Sequence, residues 1–500
     1  MTRRSTQALR FLDRHPFRTA VALVTLGALG WQFENLRGRL RWEKTQRALA
    51  AEGISLDWRS YHPSGPIRPE DNIADHPFFE GVPRQWMTDP QGNRTGISLG
   101  LDQIFPPFFE GLPEPLFHHS APKEKTSWTD ALIRVYPESA DLLAATAQVE
   151  PLLAQLSEAL QRPQCQWLPF DPAEQVSPIY SPNLPSISGP LEKLVFLVQA
   201  RAAALLDLDR GEQAAKELQA LLQFPRVFMS STTVVEELVA RVATSLTTDH
   251  LEEILLDPRW DESSLTVIQE GTNRPINHLH RQQNGFSYEL AAANHWLEGL
   301  MNHEPWAPKP TRGISANHPL ERRLQELQNV CFAVLPEIMP RGWWHQNLAN
   351  GAEEWKTHLL SAYDPETDRV SPSRAPGRGR LFNGVITPTN FLVQTHYPDI
   401  YFYVQGTAET QTKSDLLVVL CALQRYRLRH EGYPTDLETL KAEGLLARIP
   451  HDYVTGKPPH YERNQTGFVL ASLDWEQTGN PEDYLCRVTA TSESRATVRP

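Results

Sequence analysis

From Glu138 onward the apolar positions recur mostly at three-and-four spacing, which predicts a mainly α-helical protein. "ESADLLAATAQVEPLLAQLSEALQ" reads as two helices, with Pro151 opening the second. "PLEKLVFLVQARAAALLDLDRGEQAAKELQALLQF" reads as two antiparallel helices broken at Asp209-Arg210-Gly211. Further helices are predicted over 232–247, 250–257, 263–270, 285–301 and 320–335. Near the end the pattern changes. A helix over 413–430 and a short one over 437–443 precede two alternating runs, "PHYERN" and "GFVLASL", with "QTG" between them as a hairpin turn. That combination predicts a small α+β module over 406–490, with 491–500 as a disordered tail.

The front of the chain reads differently. Thr19 to Phe33 carries no charge and is flanked by Arg14 and Arg18 on one side and Arg37, Arg39 and Arg41 on the other. Fifteen helical residues span roughly 22 Å, less than the ~30 Å of a bilayer core. Arg18 can snorkel, and Trp31 and Phe33 suit an interface. The segment is read as a single transmembrane anchor. A cleaved signal peptide, for which Ala28 and Gly30 are suitably small, and a buried core helix stay open. Five Lys/Arg lie on each side, so charge alone leaves the orientation undecided. "RLRWEKTQRALAAEG" continues as a helix to Gly53. Eleven prolines between Tyr61 and Lys125 then exclude long helices there. The expected divisions are 1–33 (cytoplasmic tail and anchor), 34–125 (membrane-proximal helix and Pro-rich segment), 126–405 (helical domain), 406–490 and 491–500.

Charge sharpens this picture. Residues 1–50 carry a net +7 and the remaining 450 carry −19, so the body lacks the basic face that nucleic-acid binding needs. Cys165, Cys331, Cys421 and Cys486 are widely spaced without a CxxC, which excludes a zinc ribbon and a thioredoxin-type motif. A Cys421–Cys486 disulfide stays open, although Cys421 in "DLLVVLCALQRY" reads as a buried thiol.

Candidate chemistry is thin. "GISLG" matches the G-x-S-x-G elbow with Ser98 as nucleophile, but "DPQGNRT" upstream is no buried strand and Pro106-Pro107 interrupts any helix downstream. "SAPK" matches S-x-x-K at Ser120 and Lys123, without the partner motifs. His278, His280, His295 and His303, with Glu289 and Glu298, are the best metal candidates, but there is no HExxH. They carry the alternative reading, an extracytoplasmic hydrolase with a His/Glu metal site near His278–His303. Asp474, Glu476, Asn480, Glu482 and Asp483 place oxygen ligands in one loop, the donor type calcium takes.

The 190–224 hairpin resembles one tetratricopeptide-type unit, and no period near 34 residues extends it into an array. "ALQRYRLRHEGYPTDLETL" and "IPHDYVTGKPPHYERNQTGFVLASLDW" together resemble the soluble part of type II secretion major pseudopilins. Tyr426, Arg427, Leu428, Tyr433, Pro434, Pro450, Asp452, Gly456, Pro458, Tyr461, Gly467 and Ser472 carry the resemblance. Gly432 falls one position later than usual, Tyr453 stands where proline usually follows the aspartate, and the pseudopilin N-terminal peptidase site is missing. In that family the loop after the hairpin can bind calcium, which strengthens the Asp474–Asp483 candidate. The whole chain also resembles uncharacterised bacterial membrane-anchored envelope proteins through Asn35–Arg39, Asp71–Phe79, Arg162–Cys165 and Gly211–Leu222. That likeness implies an inner-membrane protein, single-pass through residues 19–33, with its bulk outside the cytoplasm. The expected role is non-catalytic, structural or interactive, with an envelope protein partner, beside a type II secretion or pilus-like system.

Overall fold

The computed structural model describes residues 16–62, 65–88, 94–110, 136, 138–167, 188–229, 233–249, 251–272, 276–304, 339–371, 387–396, 401–465, 467–472 and 486–490. The protein is mainly helical, with a few short strands. Its chain divides into two units. One is Trp58–Glu289, Thr357–Gly379 and Ile400–Pro500; the other is Met1–Asp57, Leu290–Lys356 and Arg380–Asp399.

The smaller unit is built on α1 (Pro16–Ala51), which packs along α10 (Arg341–His358). From residue 34 onward α1 buries one stripe, with Gly38, Trp42, Thr45 and Leu49 inward. The crossing is tight because both helices present glycine. A Cβ on Gly38 would lie 2.0 Å from the Gly342 carbonyl oxygen, and one on Gly342 would lie 1.9 Å from that of Glu34. The Gly342 N–H donates to Asn35 Oδ1 at 2.9 Å, and Arg41 and Thr45 both reach Glu353, at 2.8 and 3.0 Å.

The expected membrane anchor is corrected here. Among the described residues no helix is long and apolar enough to cross a membrane. The reason is length. The charge-free run Thr19–Phe33 ends at Glu34, and α1 continues unbroken through Arg37, Arg39 and Arg41 into the stretch that packs on α10. The single-pass inner-membrane location, the membrane partner at residues 19–33 and the membrane-bound role inferred from them fall with it.

The larger unit stacks α2 (Ser139–Ala145), α3 (Val149–Leu160), α4 (Ser188–Asp207), α5 (Gly211–Gln223), α6 (Val234–Thr248), α7 (Leu251–Leu255) and α8 (Glu262–Thr272) around one apolar core. The α4–α5 hairpin turns through Asp209 at φ +58°. α5 then buries Ala214, Leu218 and Leu221 and packs against α8 with Gly271 close over Gln219. Thr233 caps α6 by accepting from Glu236 N at 3.1 Å, and Asp261 caps α8 by accepting from Ser264 N at 2.7 Å.

Two of the motifs singled out in the sequence meet in this unit. Asn72 accepts the Gln166 N–H through Oδ1 at 2.7 Å and donates to the Gln166 carbonyl at 2.8 Å. Ile73 N donates to Gln164 O at 2.7 Å, and Arg162 reaches the Pro69 and Asn72 carbonyls at 2.9 Å each. The Pro-rich segment is therefore held by backbone bonds to the segment that follows α3. Phe79 fixes it further, edge-on to Trp167 with centroids 5.5 Å apart. An antiparallel ribbon, β1 (Arg84–Thr88) with β2 (Arg94–Leu99), extends from it.

The chain completes the larger unit with part of α9 (His278–Met301), the short pair β3 (Tyr363–Asp364) and β4 (Arg369–Val370), and α12 (Tyr401–His430). α12 lies against α6, α7 and α8, and it also carries α13 (Leu437–Ala442) and an antiparallel sheet. The sheet order is β5-β6-β7, from β5 (His460–Arg463), β6 (Phe468–Ser472) and β7 (Cys486–Ala490). α11 (Phe391–His396) belongs to the smaller unit.

Candidate functional site

A set of buried titratable groups, including Glu237, His278 and Asp415, gathers where α6, α9 and α12 meet. On α6, Glu237, Arg241 and Thr244 follow one another at helical spacing on one face. Glu237 is buried, and its two oxygens are shared. Oε1 lies 2.6 Å from His278 Nδ1, and Oε2 accepts from Arg281 Nε at 2.9 Å. The other ring nitrogen of His278, Nε2, lies 3.0 Å from Thr244 Oγ1. Carboxylate, imidazole and hydroxyl thus stand in the line that acyl-transfer triads use. The chemistry differs, because the Thr244 hydroxyl donates to the Ala240 carbonyl at 2.8 Å in the middle of a helix, where its own N–H belongs to the helix ladder. The line joins two helices and presents no free nucleophile.

α12 continues the network. The His278 N–H, at the start of α9, is shared between Gln411 Oε1 and the Ile276 carbonyl, each at 2.9 Å. Gln411 donates to Asp415 at 3.3 Å, and the Tyr453 hydroxyl donates to the same carboxylate at 2.6 Å. Burial raises the Asp415 carboxyl above its ordinary range despite these two donors. Tyr453 therefore ties the loop before β5 to the helical body.

Arg241 lies beside this line. Burial lowers its affinity for its proton, and the charge of Glu237 most strongly offsets that. Its guanidinium passes Gly406, where a Cβ would come within 2.4 Å of it. Glu289, on α9, is pushed up to about 7 by burial, partly offset by the Val234 N–H that it accepts. A carboxyl raised in the fold resists ionisation while the unfolded chain ionises, so stability is lost as pH rises from the ordinary glutamate range to about 7. Glu289→Gln mimics the protonated form. It is expected to stabilise the protein at pH 8 by up to about 3 kcal/mol and to have no effect at pH 4, as read by paired denaturant melts.

A second buried pair lies deeper in the helical body. Arg201 on α4 donates to both oxygens of Glu217 on α5, at 2.9 and 2.6 Å. Its remaining nitrogen donates to the Thr146 carbonyl and hydroxyl at 2.9 and 2.7 Å.

The residues expected from sequence do not converge. His278 is buried and held at both ring nitrogens, whereas His280 and His303 are exposed. His295 lies seventeen residues beyond His278 on the same helix, about 25 Å away. Glu298 accepts from the Trp42 side chain, and burial raises its carboxyl. Among the described residues no three His, Cys, Asp or Glu side chains are grouped to hold a metal ion. Ser98 lies within β2 opposite Gln85, not on a strand-to-helix turn. Ser120, Lys123 and the calcium candidates Asp474, Glu476, Asn480, Glu482 and Asp483 lie outside the described residues. Cys421 is a free, buried thiol whose proton affinity burial pushes up to about 12.

No family model, curated protein or solved structure matches the chain. Glu237, Arg281, Arg201 and Glu217 escaped the sequence reading. The available signal was a lone charge inside an apolar run, as with Arg201 in "VFLVQARAAALL".

Proposed function

We propose that this chain is a non-catalytic interaction protein that works beside a type II secretion or pilus-like assembly, with its C-terminal residues forming a pseudopilin-like α+β module. One observation carries the reading: the residues behind the resemblance bond to one another. Asp452 Oδ1 accepts from Val454 N at 3.0 Å and from Thr455 N at 2.8 Å, and its other oxygen accepts from the Ser472 hydroxyl. Gly456 donates its N–H to the Asp452 carbonyl at 2.8 Å from a φ of +70°, which only glycine adopts without strain. The Tyr461 hydroxyl donates to the Pro434 carbonyl at 2.8 Å, and Tyr433 stands edge-on to Phe468, centroids 4.7 Å apart. Positions scattered over forty residues thus serve one compact joint between helix and sheet. The hydrolase alternative draws no support from His278, whose ring nitrogens are both engaged.

Cross-linking in cells followed by affinity capture of the full chain tests this proposal. Components of a secretion or pilus-like assembly are expected among the captured proteins. Their absence from repeated captures would overturn it.

A further inference from the structure

α1 carries two stripes. Asn35, Gly38, Trp42, Thr45 and Leu49 form the one that packs on α10. Ala22, Leu26, Leu29, Phe33, Leu36 and Leu40 form the other, on the opposite side of the helix by the 3.6-residue period. This second stripe is open to solvent: Leu26, Leu29, Phe33, Leu36 and Leu40 are 65%, 62%, 63%, 47% and 52% exposed. Ten of the twelve exposed large hydrophobic side chains among the described residues lie on α1. Single exposed leucines need no explanation, but a continuous row does.

The row has two properties that select its occupant. Its steps alternate four and three residues, the spacing of a coiled-coil seam. It is also symmetric about the level of Trp31. In an antiparallel pair Ala22 faces Leu40, Leu26 faces Leu36 and Leu29 faces Phe33, so every level is apolar and the smallest residue meets a large one. Charge selects the same direction. Arg37, Arg39 and Lys44 flank the row at one end, only partly offset by Glu34 and Glu43. Parallel pairing would set these basic ends side by side. Antiparallel pairing lays Arg37 and Arg39 along the uncharged residues 23–25 of the other helix and leaves Lys44 beside Arg18 as the like-charged level at each end.

We propose that the seam Ala22–Leu26–Leu29–Phe33–Leu36–Leu40 pairs in antiparallel fashion with the same seam of a second copy, making the chain a homodimer. Light scattering on the full chain in detergent-free buffer is expected to give twice the monomer mass of 56.7 kDa. Leu29→Glu combined with Leu36→Glu is expected to give 56.7 kDa with unchanged circular dichroism, since both side chains face solvent in the single chain. Direction is read by oxidation of mixed single variants. Ala22→Cys is expected to bond to Leu40→Cys in the mixture, and neither variant to itself, with the unsubstituted chain as control. A monomeric unsubstituted chain, or a dimer that survives the double substitution, would overturn the proposal. So would a monomer that floats with phosphatidylglycerol–phosphatidylcholine vesicles and is released by the double substitution, which would make lipid the occupant. Self-linked Ala22→Cys would overturn the antiparallel arrangement.

Discussion

Arg201→Met is expected to lower the free energy of unfolding by about 3–5 kcal/mol, a large share of the stability of any domain. Arg201 and Glu217 are 1% and 4% exposed, so water cannot replace the guanidinium once it is gone. Glu217 would then stay buried with one remaining donor, Gln213 at 3.2 Å, and the Thr146 carbonyl would keep only the Val149 N–H, at 3.0 Å. The cost arises mainly from that stranded carboxylate. Arg201→Met combined with Glu217→Leu is accordingly expected to recover most of the loss, ending within about 1–2 kcal/mol of the parent. Urea melts of the parent, the single and the double variant decide the matter. A double variant as unstable as the single would show that the pair contributes more than the removal of an orphaned charge.

Gly38→Ala is expected to have the second large effect. The substitution raises the helix propensity of α1 by about 1 kcal/mol, so an isolated α1 would gain. In the fold the new methyl would overlap the Gly342 backbone, whose Cα lies 2.4 Å from the Cβ position. Backbone cannot move aside as a flexible side chain can. The two helices must separate, which loosens Trp42, Leu49 and the Asn35–Gly342 hydrogen bond together. Overpacking of this kind costs about 3 kcal/mol or more, well above the propensity gain. Hydrogen exchange reads it locally. Amides of α1 from residue 35 to 49 are expected to exchange faster, while those of α5 keep their protection. Unchanged exchange in α1 would show that the crossing tolerates a side chain.

The helices were legible where their buried faces are apolar. α5 was read from Ala214, Leu218 and Leu221, and the break before it from Asp209-Arg210-Gly211. They were misread where the buried face is polar. α9 begins at His278, seven residues before the expected start, because His278 and Gln282 look like loop residues although both are buried. α12 begins at Tyr401, not near residue 413, for the same reason: Thr407, Thr410, Gln411 and Thr412 are buried polar residues that pattern alone assigns to solvent. Near the end of α12, Arg425 donates to Gln269 at 2.8 Å and Arg429 donates to Glu262 at 2.8 Å, fastening α12 to α8 through bonds that no apolar period announces. The candidate site was hidden because its partners lie far apart in the chain. Nothing local to His278 announces Glu237, and a pairwise hydrogen bond leaves no period to read.

The Gly38–Gly342 crossing also sets a schedule. α1 leaves the ribosome some three hundred residues before the helix it packs against. At about 5–20 residues per second, α1 waits on the order of 15–60 s before its permanent neighbour exists. Through that interval both its stripes are bare, including the one that the finished protein covers. Such a helix is a natural client for holding chaperones, and synthesis that stalls before residue 342 would leave a sticky, unfinished chain. Moving α1 to follow α10 by circular permutation would remove the wait without altering a single contact within the pair.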